Sequence, residues 1–204
     1  MNLPNSLTVT RICLVPLLVV VLLTKFEGRQ ILGIPVEFVG AGIFAIASLT
    51  DWADGYLARR RKQITPLGQV IDPLADKLLT SAAFISLVQM GLAPAWMVAV
   101  IIGREFAVTG LRSLSFSRGV AIPASRLGKV KMIGQVVAIL ALILSSAGNL
   151  PDVLWWIGQA ALWLVLVTAL VSAADYFRRF SLFARPDVQQ DARPNVVARD
   201  DRVA

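Results

Sequence analysis

Four aspartates in one short stretch are the residues of this sequence best suited to chemistry. They lie in the segment 51–77, DWADGYLARRRKQITPLGQVIDPLADK, which holds four of the 13 acidic residues of the chain. Asp51 and Asp54 are three residues apart, and Asp72 and Asp76 are four apart. Residues at these spacings share one face of an α-helix. The sequence therefore predicts two helices that each present a pair of carboxylates.

Bound divalent metal is the simplest way to stabilise these carboxylates. Four negative charges held close together repel one another and resist desolvation, and oxygen ligands are those that Mg²⁺ and Mn²⁺ prefer. The chain has no histidine, which excludes imidazole bases, histidine nucleophiles and histidine-ligated zinc. Carboxylates must therefore carry any acid–base chemistry.

Simpler interpretations of the aspartates stay open at this point. Asp72 precedes Pro73, an arrangement typical of a helix N-cap followed by proline at the first helical position. Asp51 and Asp54 could be solvated acids paired with the basic run 59–62, and that run could serve only to anchor a membrane helix on its cytoplasmic side. The joint spacing of the four aspartates favours one shared site over a set of coincidences.

A second, basic cluster follows further along the chain. Its members are Arg104, Glu105, Arg112, Arg118, Arg126, Lys129 and Lys131. Arg104 and Arg112 are eight residues apart, so both lie on one stripe of a helix, in apolar sequence where an unpaired charge is costly. Arg104 and Glu105 are adjacent and do not share a face, which argues against a simple pair within the helix. The cluster suits an anionic substrate, although its loop residues are also typical of contact with lipid headgroups.

Six apolar runs supply the elements that would position both clusters. Hydrophobic residues make up 56% of the 204-residue chain and charged residues 16%, a balance that is rare in a soluble domain. The runs lie near 12–24, 38–49, 78–88, 92–103, 132–147 and 153–174. The second and fourth runs are short and continue into helix-compatible segments that carry charges, so we expect both helices to extend through the interface. The predicted fold is an all-α integral membrane protein with six transmembrane helices.

The distribution of basic residues predicts the orientation of these helices. All but two of the 20 lysines and arginines lie at the N-terminus, between spans two and three, around the connection of spans four and five, or after span six. Only Lys25 and Arg29 lie on the other side, which indicates cytoplasmic termini and gives no reason to expect nucleic acid as a partner. If the second helix begins near Val36, Asp51 lies about 22 Å along it, near the inner edge of a hydrocarbon core of roughly 30 Å. The aspartate site is therefore expected to face the cytoplasm.

The two ends of the chain differ in character. We expect one membrane domain over residues 1–180 and a polar, disordered cytoplasmic tail over 181–204, which contains Pro186 and Pro194 and has no apolar periodicity. The N-terminal stretch lacks the early basic region of a cleaved signal peptide, so the first span should remain. Cys13 is the only cysteine, which excludes an intrachain disulfide framework.

The four aspartates belong to a longer pattern that carries a specific resemblance. Its fixed positions are Asp51, Asp54, Gly55, Ala58, Arg59, Gly68, Asp72 and Asp76, which match D-x₂-D-G-x₂-A-R-x₈-G-x₃-D-x₃-D at every spacing. This is the motif of the CDP-alcohol phosphotransferase family, which the chain therefore resembles. The resemblance implies a six-helix membrane fold, usually dimeric, in which the first three aspartates bind metal and the CDP pyrophosphate. It also implies that the fourth aspartate lies against the metal site and acts as the base.

The resemblance further implies a reaction. An alcohol oxygen attacks the lipid-side phosphorus of CDP-diacylglycerol and CMP leaves, with two Mg²⁺ or Mn²⁺ ions neutralising the pyrophosphate. Asp51 and Asp72 are candidates to bridge two ions, and Asp54 would complete the ligands of one of them. Asp76 would remain a metal neighbour and take the proton from the attacking hydroxyl. The nucleotide contacts that the family motif implies are Asp51, Asp54, Gly55, Ala58, Arg59, Gly68 and Asp72.

The N-terminal stretch NLPNSLTVTR resembles the opening of the same family. There Asn5, Thr8 and Arg11 would face the nucleotide pocket. An ordinary helix cap at Asn5 or Thr8 is an equally good interpretation of the first two residues.

A narrower resemblance concerns the acceptor. The segments REFAVTGLR and LGKVK look like the branch of the family that uses sn-glycerol 3-phosphate and makes phosphatidylglycerophosphate. The residues that would hold the acceptor phosphate are Arg112, Arg118, Lys129 and Lys131. Met132 stands where this branch often has threonine, which weakens a role for a hydroxyl there and leaves the basic pair intact.

Other functions stay open as alternatives. A cardiolipin synthase that uses phosphatidylglycerol, a phosphatidylserine synthase, or a synthase with an inositol phosphate acceptor would keep the aspartate motif. A divalent-cation transporter would also place aspartates in a membrane, but its polar groups would spread along several spans near the midplane. The expected partners are CDP-diacylglycerol, glycerol 3-phosphate, membrane lipids and a second copy of the chain, in a bacterial cytoplasmic membrane.

Overall fold

The structure is a computed structural model, and the part of the chain that it describes is mostly helical. The described residues are 3–24, 30–61, 66–117, 127–148 and 151–183, with side chains described over 10–24, 30–50, 74–111, 130–148 and 151–178. Six α-helices lie in this part: α1 (Leu3–Leu23), α2 (Val36–Arg61), α3 (Pro66–Gln89), α4 (Ala95–Ser117), α5 (Leu127–Ser145) and α6 (Val153–Phe183). Each predicted apolar run overlaps a different helix, in the predicted order.

Two of the helices extend well beyond their apolar runs, as predicted. α2 continues through Arg61 and α4 through Ser117, so both carry their charged segments as helix. Among the described residues, one helical segment is long and apolar enough by itself to cross a membrane, Val153–Arg178. Shorter apolar segments lie at Thr10–Leu23, Val36–Thr50 and Val130–Ser145. This architecture is consistent with an all-α membrane protein.

A small β-hairpin between α1 and α2 was not predicted. Its strands β1 (Gln30–Ile31) and β2 (Ile34–Pro35) pair antiparallel. The two residues between them have positive φ, 53° at Leu32 and 79° at Gly33. Positive φ at both central positions is the geometry of a type I′ turn, which usually carries asparagine or aspartate before glycine. Leucine is unusual at such a φ, so the hairpin has no clear turn signal in the sequence.

The core of the bundle draws on all six helices. Each helix contributes at least one core side chain that is at most 1% exposed, and examples in helix order are Leu18, Phe44, Phe84, Met97, Ile139 and Leu162. α5 contacts α2, α3 and α6, while α4 contacts α3 and α6. The outward faces carry large exposed apolar side chains such as Ile46, Ile85 and Val167. Extended apolar surface of this kind is typical of contact with a membrane or another protein.

A glycine lets α5 and α6 approach closely. A Cβ atom added at Gly158 would lie 2.6 Å from Cγ and 3.1 Å from the backbone nitrogen of Leu142. Leu142 itself is fully buried. Small residues at such contacts allow tight packing between membrane helices. α5 and α6 both contribute to the second site described below, so this contact helps to fix their spacing.

Candidate active site

α2 carries the first aspartate pair. It runs without interruption from Val36 to Arg61, so Asp51 and Asp54 lie on the helix that continues from the second apolar run. Their three-residue spacing places them on one face of that helix. Gly55, Ala58 and Arg59 follow on the same helix. The side chains of 51–61 lie outside the described part, so the helix fixes their register and spacing only.

α3 carries the second aspartate pair, and the position of its first residue excludes one interpretation of Asp72. The helix begins at Pro66, so Asp72 lies inside it. The interpretation of Asp72 as an N-cap, with Pro73 at the first helical position, is therefore wrong. Asp76 lies one turn further along, and its side chain is half-buried. Gly68 lies in the first turn of the same helix.

The two aspartate helices contact each other and share a third neighbour, α1. Arg11 on α1 is 2% exposed, and a buried guanidinium in an apolar bundle is costly unless anionic groups compensate it. Asn5 and Thr8 lie inside α1, which begins at Leu3, so neither is its N-cap. Their side chains are outside the described part. The backbone thus brings the N-terminal stretch and both aspartate helices into one group of three.

The donor set of the aspartate motif fits a hard divalent cation. Its four members are carboxylates on two helices that contact each other, and carboxylate oxygens are ligands that Mg²⁺ and Mn²⁺ prefer. Of the four, only Asp76 has a described side chain. Among the described side chains, no three histidine, cysteine, aspartate or glutamate residues gather closely enough to hold a metal. The fit therefore rests on the placement of the helices and on the chemistry of the donors.

Three helices meet at a buried polar group that we call the Glu105 cluster. Its members are Arg104 and Glu105 on α4, Lys131 on α5 and Ser172 on α6. The Lys131 ammonium donates a hydrogen bond to Oε1 of Glu105. The side chains of Lys131 and Glu105 are 10% and 17% exposed, so the ion pair lies largely inside the bundle. The structure thus gives Lys131 a protein partner, which the sequence did not indicate.

Arg104 joins the Glu105 cluster to α6 through two hydrogen bonds. Its Nε donates a hydrogen bond to the carbonyl oxygen of Ala169 at 3.1 Å, and its Nη2 donates one to the hydroxyl of Ser172 at 2.5 Å. Ser172 is 3% exposed. Sequence reasoning missed Ser172 because nothing local marks a serine whose partner lies on another helix.

Arg104 and Glu105 contact each other, and on this point the sequence-based expectation was wrong. Nη1 of Arg104 lies 3.4 Å from Oε1 of Glu105, because the long arginine side chain spans the angle between neighbouring positions. The expectation that a simple intrahelical pair does not account for these two charges is confirmed in one respect, since both residues also form hydrogen bonds to other helices. Arg104 reaches α6 and Glu105 reaches α5.

The remaining acceptor residues predicted from sequence are placed only in part. Arg112 lies on α4 and Lys129 on α5, the two helices joined by the Glu105–Lys131 pair, but their side chains are outside the described part. Arg118 lies wholly outside the described residues, as does Arg126. A further cation, Lys77 on α3, is close enough to Lys131 for their charges to interact. Lys131 is therefore within electrostatic range of the helix that carries Asp72 and Asp76.

Comparisons with known proteins identify related sequences. The family model for CDP-alcohol phosphatidyltransferase matches residues 1–171. A CDP-diacylglycerol–glycerol-3-phosphate 3-phosphatidyltransferase of Bacillus subtilis is 48% identical over 185 residues, covering 87% of this chain and 94% of the relative. A protein of the same name from Rickettsia felis is 36% identical, with 87% and 94% covered. A probable phosphatidylglycerophosphate synthase of Mycobacterium tuberculosis H37Rv is 39% identical, with 87% and 81% covered.

Proposed function

Because this chain belongs to the CDP-alcohol phosphatidyltransferase family, we propose that it transfers a phosphatidyl group from CDP-diacylglycerol to sn-glycerol 3-phosphate. The products are phosphatidylglycerophosphate and CMP. The family membership predicted from the aspartate motif is confirmed, and the chain is a transferase. The 48% identity to a relative named for this reaction, over most of both chains, is the observation that carries the choice of acceptor.

The aspartates divide the work of the reaction in this proposal. Asp51, Asp54 and Asp72 would hold Mg²⁺ or Mn²⁺, two ions in our proposal, with Asp76 against the same site. When bound, the ions would neutralise the negative charge of the pyrophosphate and of the departing CMP. Asp76 accepts the proton of the attacking hydroxyl, whose oxygen forms a bond to the lipid-side phosphorus. The bond from that phosphorus to the bridging oxygen breaks, and the oxygen leaves with CMP.

The nucleotide would be bound between α1, α2 and α3. The proposed contacts are Asn5, Thr8, Asp51, Asp54, Gly55, Ala58, Arg59, Gly68 and Asp72. The packing of α1 against both aspartate helices supports this set, since the helix that carries Asn5 and Thr8 contacts both helices of the motif. Gly55, Ala58 and Gly68 have small side chains that let a ligand approach the backbone closely. Arg59 would contact a phosphate.

The acceptor phosphate would be held by basic residues of α4, α5 and their connection. The proposed residues are Arg112, Arg118, Lys129 and Lys131. A dianionic phosphate in a partly desolvated site needs more than one cationic donor, and the planar fork of arginine suits two of its oxygens. The burial of Lys131 supports this assignment, because a cation inside an apolar bundle is costly and is typically retained for function.

All six helices would cross the membrane, with both termini and the active site on the cytoplasmic side of a bacterial inner membrane. The membrane domain would span 1–180, followed by a polar tail over 181–204. α6 continues into the first residues of that tail and ends at Phe183, and residues 184–204 lie outside the described part of the chain. The sorting of basic residues supports the orientation. Exposed Trp96 and Trp156, at the starts of α4 and α6, suit an aromatic belt at the outer interface. We also propose a homodimer.

The acceptor is tested by product identification. The purified protein is incubated with CDP-diacylglycerol, Mg²⁺ or Mn²⁺, and one acceptor at a time: glycerol 3-phosphate, glycerol, serine, an inositol phosphate or phosphatidylglycerol. We expect phosphatidylglycerophosphate as the dominant lipid product, with one CMP released for each molecule formed. Faster turnover with another acceptor would reassign the substrate within the family, whereas no CMP release with any acceptor would oppose the enzyme proposal itself.

The orientation is tested by labelling. Single cysteines are introduced into a Cys13→Ser background, one at Gln63 and one at Gly33, and intact cells are treated with a membrane-impermeant maleimide. We expect labelling at position 33 from outside and at position 63 only after the cells are opened, because basic loops remain in the cytoplasm. External labelling at position 63 would overturn both the topology and the cytoplasmic active site.

A further inference from the structure

We infer that Glu105 is a positioning residue for acceptor recognition: its carboxylate fixes the Lys131 ammonium at the junction of α4 and α5, where that ammonium meets the acceptor phosphate. This inference rests on the proposed use of an acceptor that carries a phosphate. The inference adds Glu105 to the residues that act on the acceptor. Glu105 is itself an anion and would repel the acceptor phosphate in direct contact. Glu105 therefore has to act through its cationic partners.

The chemistry of the ammonium group allows both contacts at once. A lysine ammonium has three N–H donors and no acceptor. One donor of Lys131 is directed to Oε1 of Glu105, which leaves two for a ligand. A free lysine side chain is flexible and loses considerable rotamer entropy when a ligand orders it. Burial and the ion pair restrict Lys131 before the acceptor arrives, so less of that entropy is lost on binding.

The charges of the Glu105 cluster favour an anionic ligand. Arg104 and Lys131 contribute two positive charges and Glu105 one negative charge, and both cations reach the same carboxylate oxygen. The cluster thus keeps one net positive charge among side chains that are at most 17% exposed. Without Glu105, Arg104 and Lys131 would repel each other, and the ammonium would move away from its present position.

The cluster also fixes the helices that carry the other acceptor residues. Arg104 binds α6 through Ala169 and Ser172, and Glu105 binds α5 through Lys131. α4 is therefore tied to both neighbours within two consecutive residues. Arg112 lies two turns further along α4, and Lys129 lies two residues before Lys131 on α5. The Glu105–Lys131 pair thus links the two helices that carry the proposed phosphate ligands Arg112 and Lys129.

A purely structural ion pair is the competing explanation, and a double-mutant cycle separates the two. The variants are Glu105→Gln, Lys131→Met and the combination of both. If the pair only neutralises two buried charges, the double variant removes both charges and should recover the wild-type KM for glycerol 3-phosphate along with its stability. If Glu105 acts through Lys131 on the acceptor, the double variant should recover thermal stability while its KM stays that of Lys131→Met.

The experiment measures KM and kcat for each substrate in mixed micelles, together with the melting temperature of each variant. We expect Glu105→Gln to raise KM for glycerol 3-phosphate about tenfold, the scale of one misplaced charged hydrogen bond, with kcat and the KM for CDP-diacylglycerol within about twofold of wild type. Glu105→Asp keeps the charge on a shorter side chain and should give an intermediate KM, and it serves as the test if Glu105→Gln does not fold. Glu37→Gln, a buried carboxylate in the first turn of α2, is the matched control and should leave both KM values unchanged.

With glycerol 3-phosphate as acceptor, three results would overturn the inference. They are an unchanged KM in Glu105→Gln (or in Glu105→Asp where Glu105→Gln does not fold), an equal rise in KM for both substrates, and a wild-type KM in the double variant. Failure of the proposed function would look different, because the wild-type protein would then prefer another acceptor in the product assay. In that case the same variants are measured with the preferred acceptor. An effect on an acceptor without a phosphate would also contradict the inference.

Discussion

The aspartate motif and the Glu105 cluster are built in different ways. The motif occupies one continuous segment and two consecutive helices, and its members are related by spacings of three and four residues. The Glu105 cluster joins three helices, and its contacts link residues that are 26 and 68 positions apart in the chain. Spacing along a helix follows from helix geometry alone, whereas the partners of Arg104 and Lys131 depend on how the bundle packs. The helix positions of the aspartates are therefore readable from sequence, whereas the contacts within the Glu105 cluster are not.

The two regions also differ in what they decide. Every alternative within the family keeps the aspartates, so in our proposal the motif carries out the reaction and does not select the acceptor. The basic residues of α4 and α5 would contact the acceptor, whose charge and shape differ among these alternatives. Variants in the two regions should therefore differ in their kinetic parameters. Variants of the aspartate motif should lose turnover with every acceptor, and variants of the basic residues should lose affinity for the acceptor alone.

The largest effect is expected from the aspartates. Changing Asp51, Asp54, Asp72 or Asp76 singly to Asn should remove nearly all turnover, because losing a metal ligand or the base forfeits several kcal/mol of transition-state stabilisation. Release of radiolabelled CMP measures this. Removal of divalent metal with EDTA should have the same effect, with recovery on adding Mg²⁺ or Mn²⁺.

Asp152→Asn is the matched control for these variants, since Asp152 is exposed just before α6. It should keep wild-type turnover. Retention of more than about a tenth of wild-type activity by Asp72→Asn would contradict the metal model. The two regions would then no longer differ in their effect on turnover.

The next effect concerns the acceptor. Arg112→Ala should lower kcat/KM for glycerol 3-phosphate by roughly two orders of magnitude, the scale of a charged hydrogen bond of about 2–3 kcal/mol. Apparent affinity for CDP-diacylglycerol should change little, because its proposed site lies on α1, α2 and α3. Steady-state kinetics with each substrate varied in turn measures both. Arg178→Ala, at an exposed position on α6, is the control; equal losses for both substrates in Arg112→Ala would make Arg112 structural.

The sequence predicted the helices well because their signals are local. Long apolar runs identify helices, and the charged continuation of the second run correctly indicated that α2 reaches Arg61. The placement of Asp51 and Asp54 on one helix followed from this continuation. Asp72 before Pro73 was ambiguous, since the local pattern suits a cap, and only the start of α3 at Pro66 excludes that interpretation.

The contacts between helices could not be predicted in the same way. Ser172 is one serine on a long apolar helix, and only packing brings it to Arg104. Glu105 was visible as a charge in apolar sequence, but its partner Lys131 lies beyond a connection whose path the sequence does not fix. The turn at Leu32 was missed for a different reason, because a leucine at positive φ carries no turn signal.

The smallest effect is expected where the two helices of the second site pack closely but carry no chemistry. Gly158→Ala would place a Cβ 3.1 Å from the backbone nitrogen of Leu142 as well as against its side chain. The side chain can rotate, but the backbone cannot yield without moving α5, which costs about 1–3 kcal/mol in overpacking. Alanine recovers up to about 1 kcal/mol through helix propensity, so we expect a net loss of about 1 kcal/mol, seen as a lower melting temperature in detergent. Gly42→Ala is the control, since its Cβ would meet nothing within 4 Å, and it should not lower the melting temperature.

The same variant should leave acceptor use almost unchanged. Gly158 precedes Ala169 by about 16 Å of helix at 1.5 Å per residue, so the α6 contacts of Arg104 should persist. The KM for glycerol 3-phosphate should therefore stay within about twofold of wild type. A large rise in that KM would mean that the spacing of α5 and α6 is transmitted along the whole bundle, and that the Glu105 cluster depends on packing far from its own hydrogen bonds.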